Sequence, residues 1–445
     1  MKTLEQQIPG TWWASPHLVE SALPDRGSEA KTAFSATVLF TFILLLSPQN
    51  WFPFLRPLRI AFLAAGCAVA ALLWDRWKHA RPLGFTAEVI ICFSLIAWAF
   101  VTAPLSYWPG GSIATVTDLY VKAVAVFWLL SNVVTTHSRL RRLTNGLIAC
   151  SVILAATGVN NFRNGVFVAE LGSVARIAGY GGNLAGNPND LALMLNLLLP
   201  FAVAQLLGAS GTRARVFWLG AVAINVIGVV VTFSRGGFLA LAAIGLVYFA
   251  KLMRRAGPDR RWAVAMLVLA VLALPLVPAA YVERVSTVSD IASDPTQSSQ
   301  SRWRDMVAAA HFVATHPIIG AGIGMDILAL NEVRGAYWVQ VHNVYLQYAV
   351  DLGLPGAFLF VLLLWMVFRA VKSSMRRLAG VAGERPLFLL AEAVQVSLIA
   401  FVVSSMFHPV AYHFYFYYIA GLALAVRAIA REVVLPPTLL AVSIR

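Results

Sequence analysis

Apolar stretches approaching twenty residues recur along this chain from Ala33 almost to its C-terminus, and that recurrence leaves few folds open. A hydrocarbon core about 30 Å thick takes about 20 helical residues to cross, and inside it every backbone polar group must be satisfied within the protein. The stretches fall near 33–48, 58–74, 85–104, 118–134, 143–159, 189–208, 214–233, 236–252, 262–281, 342–369, 387–407 and 411–430, which predicts about twelve transmembrane helices. Ser234–Gly237 (SRGG) divides 214–252, which would otherwise read as one long helix. With 59% of 445 residues hydrophobic, 12% charged and a mean hydropathy of +0.75, the fold class is an all-α integral membrane protein.

The charges set the expected orientation. A net charge of +14 could mark a nucleic-acid binder in a soluble chain, but here it lies mostly in short loops between spans, so no nucleic-acid partner is expected. Arg76, Lys78 and Arg81, then Arg139, Arg141 and Arg142, then Arg254, Arg255, Arg260 and Arg261 recur at alternate loops, which predicts cytoplasmic N- and C-termini. The expected organisation is a cytoplasmic segment 1–32 without a signal peptide, helices one to nine over 33–281, and an external loop 282–341 with short helices. Helices ten to twelve follow over 342–432, then a cytoplasmic tail 433–445. In the loop, Ser301 reads as the N-cap of a helix that ends before Pro317, and the glycine-rich IIGAGIGM follows as a turn, the whole forming a lid or wall.

Cations placed against this bias are informative. They are Arg163 and Arg176, Arg235 in the SRGG turn, and four arginines of the loop, among them Arg302. Arg235 so close to a bilayer calls for an anion: a lipid phosphate, a loop carboxylate or a substrate phosphate, which the guanidinium fork suits. Gly236 and Gly237 would let the backbone approach closely. Arg176 precedes the Asn187–Pro188 helix start, and Arg302 lies on the loop helix, so the three arginines converge at helix ends on one side, where a pyrophosphate attached to a lipid would sit. Lys122 reads as lying just inside the outer end of the fourth span.

His342 opens the tenth span in VHNVYLQYAVDLGLPG, above a weak point at Leu352–Gly356. It is either a general base in an outer cavity or a capping, hydrogen-bonded histidine. His408 and His413, in an aromatic run, read mainly as interfacial packing and as second-choice bases. Cys67, Cys92 and Cys150 all fall in apolar spans. The sequence carries no D-x-D pair, no phosphate loop, no zinc motif and no internal repeat, so neither metal nor cofactor is expected.

Together, Arg176 ahead of Asn187–Asn189, SRGG, SRWRD leading to HPIIGAGIG, and HNVYLQYAVDLGLPG resemble the O-antigen ligase family, within the O-antigen ligase and polymerase superfamily of bacterial membrane glycosyltransferases. Asp351 stands where many relatives have Glu. The resemblance implies a fold related to the GT-C glycosyltransferases, in the bacterial inner membrane, with its long periplasmic loop between helices nine and ten. It implies a glycan donor on undecaprenyl pyrophosphate, an acceptor lipid A–core, and a metal-independent, inverting transfer on the periplasmic side. Arg176, Arg235 and Arg302 would bind the pyrophosphate and His342 would activate the acceptor hydroxyl. A polymerase or a protein O-oligosaccharyltransferase of the same superfamily is the alternative, and a lipid-linked glycan flippase a further one.

Overall fold

The computed structural model describes residues 30–168, 176–177, 179–180, 184–255, 257, 259–273 and 298–434. Nearly all of the expected segment 1–32, the tail from 435, the end of the expected ninth span and the first part of the long loop therefore lie outside the described residues.

The chain enters as α1 (Lys31–Leu46) and passes through a short α2 (Pro48–Trp51) into α3 (Ile60–Lys78) and α4 (Ala87–Thr102). A continuous rod follows, built from α5 (Pro109–Thr115), one π-helical turn (Val116–Tyr120) and α6 (Val121–Val133). Next come α7 (His137–Arg163), α8 (Pro188–Gly208), α9 (Thr212–Val230), α10 (Arg235–Met253) and α11 (Asp259–Ala273). The loop holds α12 (Ser298–Thr315) and α13 (Asp326–Arg334), and α14 (Val344–Leu378), α15 (Arg385–Ser404) and α16 (Phe414–Val434) complete the bundle.

Among the described residues, ten helices are long and apolar enough to cross a membrane. The expected first span is a 16-residue helix, shorter than those ten, and the expected ninth is described only to Ala273. The expected fourth span starts earlier than its apolar run, at Pro109, because the polar PGGSIAT segment is helical too. Lys122 is therefore about 20 Å along the rod rather than near its outer end. It pairs with Asp118 at 3.4 Å. Helices α8, α15 and α16 form the buried centre, each apolar nearly all round as a central helix must be.

One end of the bundle is tied by buried ion pairs. Arg427 grips Glu88 at 2.5 and 2.7 Å, Arg255 meets Glu392 at 2.6 Å, and Arg385 meets Asp259 at 2.9 Å. A carboxylate buried there without its cation would cost several kcal/mol, so each pair fixes which helices meet.

The expected weak point in the tenth span is a true break. Gly353 has φ 67°, and Pro355 has no N–H to give, so the α-helical bonds around them are lost. Four of the groups around the break are bonded elsewhere in the chain. Ala321 N–H donates to Val350 O at 2.7 Å, Gly322 N–H to Asp351 O at 2.8 Å, and the Trp98 indole to Leu352 O at 2.8 Å. Leu354 N–H donates to Pro317 O at 2.7 Å. The turn that does this is GAGIG, whose glycines all have positive φ, and a Cβ at Gly322 would fall 2.0 Å from that of Ser106. The glycines serve close backbone packing between α14 and the α4–α5 connection.

Around that turn the loop builds its own small core of Ala308, Phe312, Met325, Leu330, Val341 and Val350. The Asp305–Arg334 ion pair closes it. Helix α12 runs from Ser298, so Ser301 sits in its first turn and is not the cap. Ser298, Ser299 and Gln300 are tolerated as polar first-turn residues, which the sequence pattern alone does not separate from a cap.

A Cβ at Gly353 would lie 2.1 Å from the backbone oxygen of Ile318. Gly353→Ala is accordingly expected to destabilise the protein by more than about 2 kcal/mol, from φ strain and this clash together. The measurement is thermal unfolding of the detergent-purified variant, and a melting temperature equal to that of the unaltered protein would show that the break does not need glycine.

Candidate active site

At the bundle end opposite the carboxylate pairs, three helix starts and one strand converge. Asn343 caps α14: its Oδ1 accepts the N–H groups of Tyr345 and Leu346 at 3.0 and 3.1 Å. That is why a polar pair opens an apolar helix: Asn343 is structural, and the residue before it is displayed. Val344 N–H donates to Ser405 O at 2.8 Å and Tyr348 OH to Ala411 O at 2.9 Å, stitching this start to the connection between α15 and α16. On the other side Val341 N–H donates to the buried Asp326 at 2.8 Å. His342 is thus clamped by both neighbours, half-buried, and among the described residues its Nδ1 has no hydrogen-bond partner of normal geometry.

Asn187 caps α8 by accepting from Asn189 and Asp190 N–H, both at 2.9 Å, which aims the Asn189 side chain at α10. Asn189 Oδ1 then accepts from Ser234 Oγ at 2.8 Å and from Arg176 Nη2 at 2.6 Å. Arg176 lies in a two-residue strand paired antiparallel with Phe167–Val168, is buried, and donates also to Thr232 O at 3.4 Å. Ser234 caps α10, accepting from Gly237 N–H at 3.2 Å. A Cβ on Gly237 would lie 2.6 Å from that of Ala192, so the glycine expected to permit close approach does so against α8. Arg235 Nη1 donates to Ser299 Oγ at 2.7 Å, in the first turn of α12, one turn before Arg302.

The circle closes through electrostatics. His342 is held down to about 4, first by burial and then by the positive charge of Arg302, with Arg334 adding and the Gln340 carbonyl partly offsetting. His408 is held down to about 3, again by burial first, then by Arg302 and His342, with Arg176 contributing. Its Nδ1 is 3.7 Å from Asp190. All four residues singled out from the sequence, Arg176, Arg235, Arg302 and His342, therefore belong to one cluster.

The structure separates the two aromatic-run histidines. His413 is half-buried beside Tyr415, with ring centroids 6.2 Å apart. His408 lies inside the arginine–histidine cluster, a place that its aromatic neighbours in the sequence disguise. Asn189 orients Arg176 and Ser234 holds Asn189, roles that the sequence pattern does not assign to either. The signal available for them was their adjacency to arginines at two caps.

Such a cluster can hold an anion with charge and hydrogen bonds, and it keeps two imidazoles neutral near pH 7. Among the described residues no group of His, Cys, Asp and Glu is placed to hold a metal ion.

No curated protein matches the chain. A solved chain from work on the structural coordination of polymerization and crosslinking by a peptidoglycan synthase complex is 20% identical. Its TM-score is 0.41, and the match covers 78% of this chain and 97% of that one. At that TM-score the likeness carries no argument about function. Residues 220–361, which include Arg235, Arg302 and His342, match the family model described as O-antigen ligase.

Proposed function

We propose that this protein is an O-antigen ligase. It transfers a glycan from undecaprenyl pyrophosphate to lipid A–core at the periplasmic face of the bacterial inner membrane. The observation that supports this best is the single cluster in which the charge of Arg302 acts on His342 while Arg176 and Arg235 are oriented from α8 and α12. The arginines bind the pyrophosphate and stabilise the charge that develops as it leaves. His342 takes the proton of a core-sugar hydroxyl, the oxygen attacks the anomeric carbon, and the bond to pyrophosphate breaks with inversion. No metal is required for these steps.

His342→Ala is expected to lower transfer by about 10² to 10⁴, the usual contribution of a general base, with donor binding retained. Assay of transfer onto purified core lipopolysaccharide reads this directly. Near-normal turnover would remove His342 as base, and core capped by one repeat in the host would indicate a polymerase. Arg235→Glu is expected to weaken donor binding about tenfold or more, since a charge-assisted hydrogen bond is worth about 1.5–3 kcal/mol. Unchanged binding would make Arg235 a structural residue.

The pH dependence follows from the sign of the shift. Because the free-enzyme value of His342 is depressed to about 4, the imidazole is neutral and competent above that pH and is lost as base only as pH falls through it. A bound pyrophosphate supplies negative charge beside the imidazole and raises its pKa. The acid limb of kcat/KM should therefore lie near pH 4 and that of kcat at higher pH. Coincident limbs would separate His342 from the donor.

A further inference from the structure

A second site lies away from the histidines. Between α1, α3 and the α5–α6 rod is a cleft of about 1030 Å³, and none of Arg176, Arg235, Arg302 or His342 lines it. Its walls are apolar, with Leu44, Val69, Leu73, Val126 and Leu129 among them. Small residues Ala61, Ala65, Gly66 and Ala70 widen it along α3, and a Cβ built on Gly66 meets nothing within 4 Å. From Arg59 to Leu73 the helix rises about 21 Å, enough to receive extended hydrocarbon chains.

The cleft is nevertheless charged. Arg56, Arg59 and Lys122 line it against a single carboxylate, Asp118. Asp118 and Lys122 stay 79% and 44% exposed although they lie midway along a spanning rod, where charge facing plain hydrocarbon is costly. The π-helical turn is what presents Thr117 and Asp118 to the cleft, and such turns recur at functional sites. An apolar trough with a surplus of cations fits an anionic headgroup carrying long chains.

The cation-bearing connection is also tied to the arginine cluster. It runs between Ser47 and Arg59, both in the left-handed region at φ 43° and 46°, a conformation held only where surroundings impose it. Midway, the Trp51 indole donates to Tyr180 OH at 3.0 Å, and Tyr180 OH donates to Leu46 O at 2.8 Å. Tyr180 lies four residues beyond Arg176, so the cleft and the cluster share one side of the bundle.

We propose that this cleft anchors the acceptor. It takes the phosphate-bearing headgroup of a multiply acylated glycolipid on Arg56, Arg59 and Lys122, and its acyl chains along α3 and α6. The proposal rests on the ligase reading above. It accounts for a lipid site that does not touch the base, because the accepting sugar is separated from the acylated end by the rest of the core.

The test uses the full chain in nanodiscs and two probes, rough lipopolysaccharide and the soluble core oligosaccharide released from it. A variant with Arg56→Glu, Arg59→Glu and Lys122→Glu is expected to bind rough lipopolysaccharide at least tenfold more weakly, with transfer to the soluble oligosaccharide unchanged. Gly66→Trp, which fills the cleft and leaves the cations in place, is expected to cause the same loss. Unchanged binding in both variants would overturn the anchor site. So would equal displacement of rough lipopolysaccharide by phosphatidylglycerol, which would mark an ordinary bilayer-lipid groove, or failure of the unaltered protein to bind the lipopolysaccharide. Binding of rough lipopolysaccharide that the variants weaken, without transfer to either probe by the unaltered protein, would support the anchor and overturn the ligase reading.

Discussion

The break in α14 at Gly353 governs the end of the molecule where the cluster lies. A helix that crosses a membrane cannot leave carbonyls and N–H groups open, so interrupting it demands partners from elsewhere in the chain. Those partners are the glycine turn at 320–324, Pro317 and Trp98. Once the turn is locked to the break, the loop can no longer lie loosely over the bundle. Its α12 is carried to the bundle, with Arg302 close enough for its charge to act on His342 and Ser299 within reach of Arg235. The oxygen of Asp351 that accepts Gly324 N–H at 2.9 Å also accepts Tyr412 OH at 3.0 Å, so the same lock reaches the start of α16.

The cluster itself is built from caps. Asn187, Ser234 and Asn343 each end the exposed backbone of a helix start, and each stands beside a residue with chemical potential: Asn189, Arg235 and His342. Capping is a local requirement of the helix, satisfied by the residue types Ser, Thr, Asp and Asn. Placing the displayed group next to a cap gives it a fixed direction without a further element of structure.

Much of this was legible in the sequence because the controlling features are local. The SRGG division, the weak point near Gly353, and the convergence of Arg176, Arg235, Arg302 and His342 follow from residue type and spacing. What was not legible depends on partners distant in the chain. Nothing near PGGSIAT announces that α5 will extend the fourth span, so Lys122 was placed too close to its outer end. His408 reads as one more member of an aromatic belt, because its relation to Arg302 and His342 exists only once α12 is docked. Ser301 looks like a cap since a serine before an apolar pattern usually is one, while the polar residues ahead of it are helical as well. The cleft beside α3 was invisible for the same reason: its cations come from the α2–α3 connection and from α6, and neither segment alone suggests a shared site.

The depressed basicity of His342 and His408 has a consequence for the proposed reaction. Burial and the nearby arginines disfavour imidazolium in the empty site, so the histidine is proton-free but a weak base. A diphosphate entering among the arginines supplies the missing negative charge and makes protonation of the same imidazole more favourable. On the proposed function Arg302 would act twice, once by holding the donor and once, together with burial, by keeping the base weak until the donor is there. On this reasoning an acceptor hydroxyl, or water, meets a weak base in the empty site and a stronger one when the donor is bound, and the order of events is set by charge rather than by a moving lid.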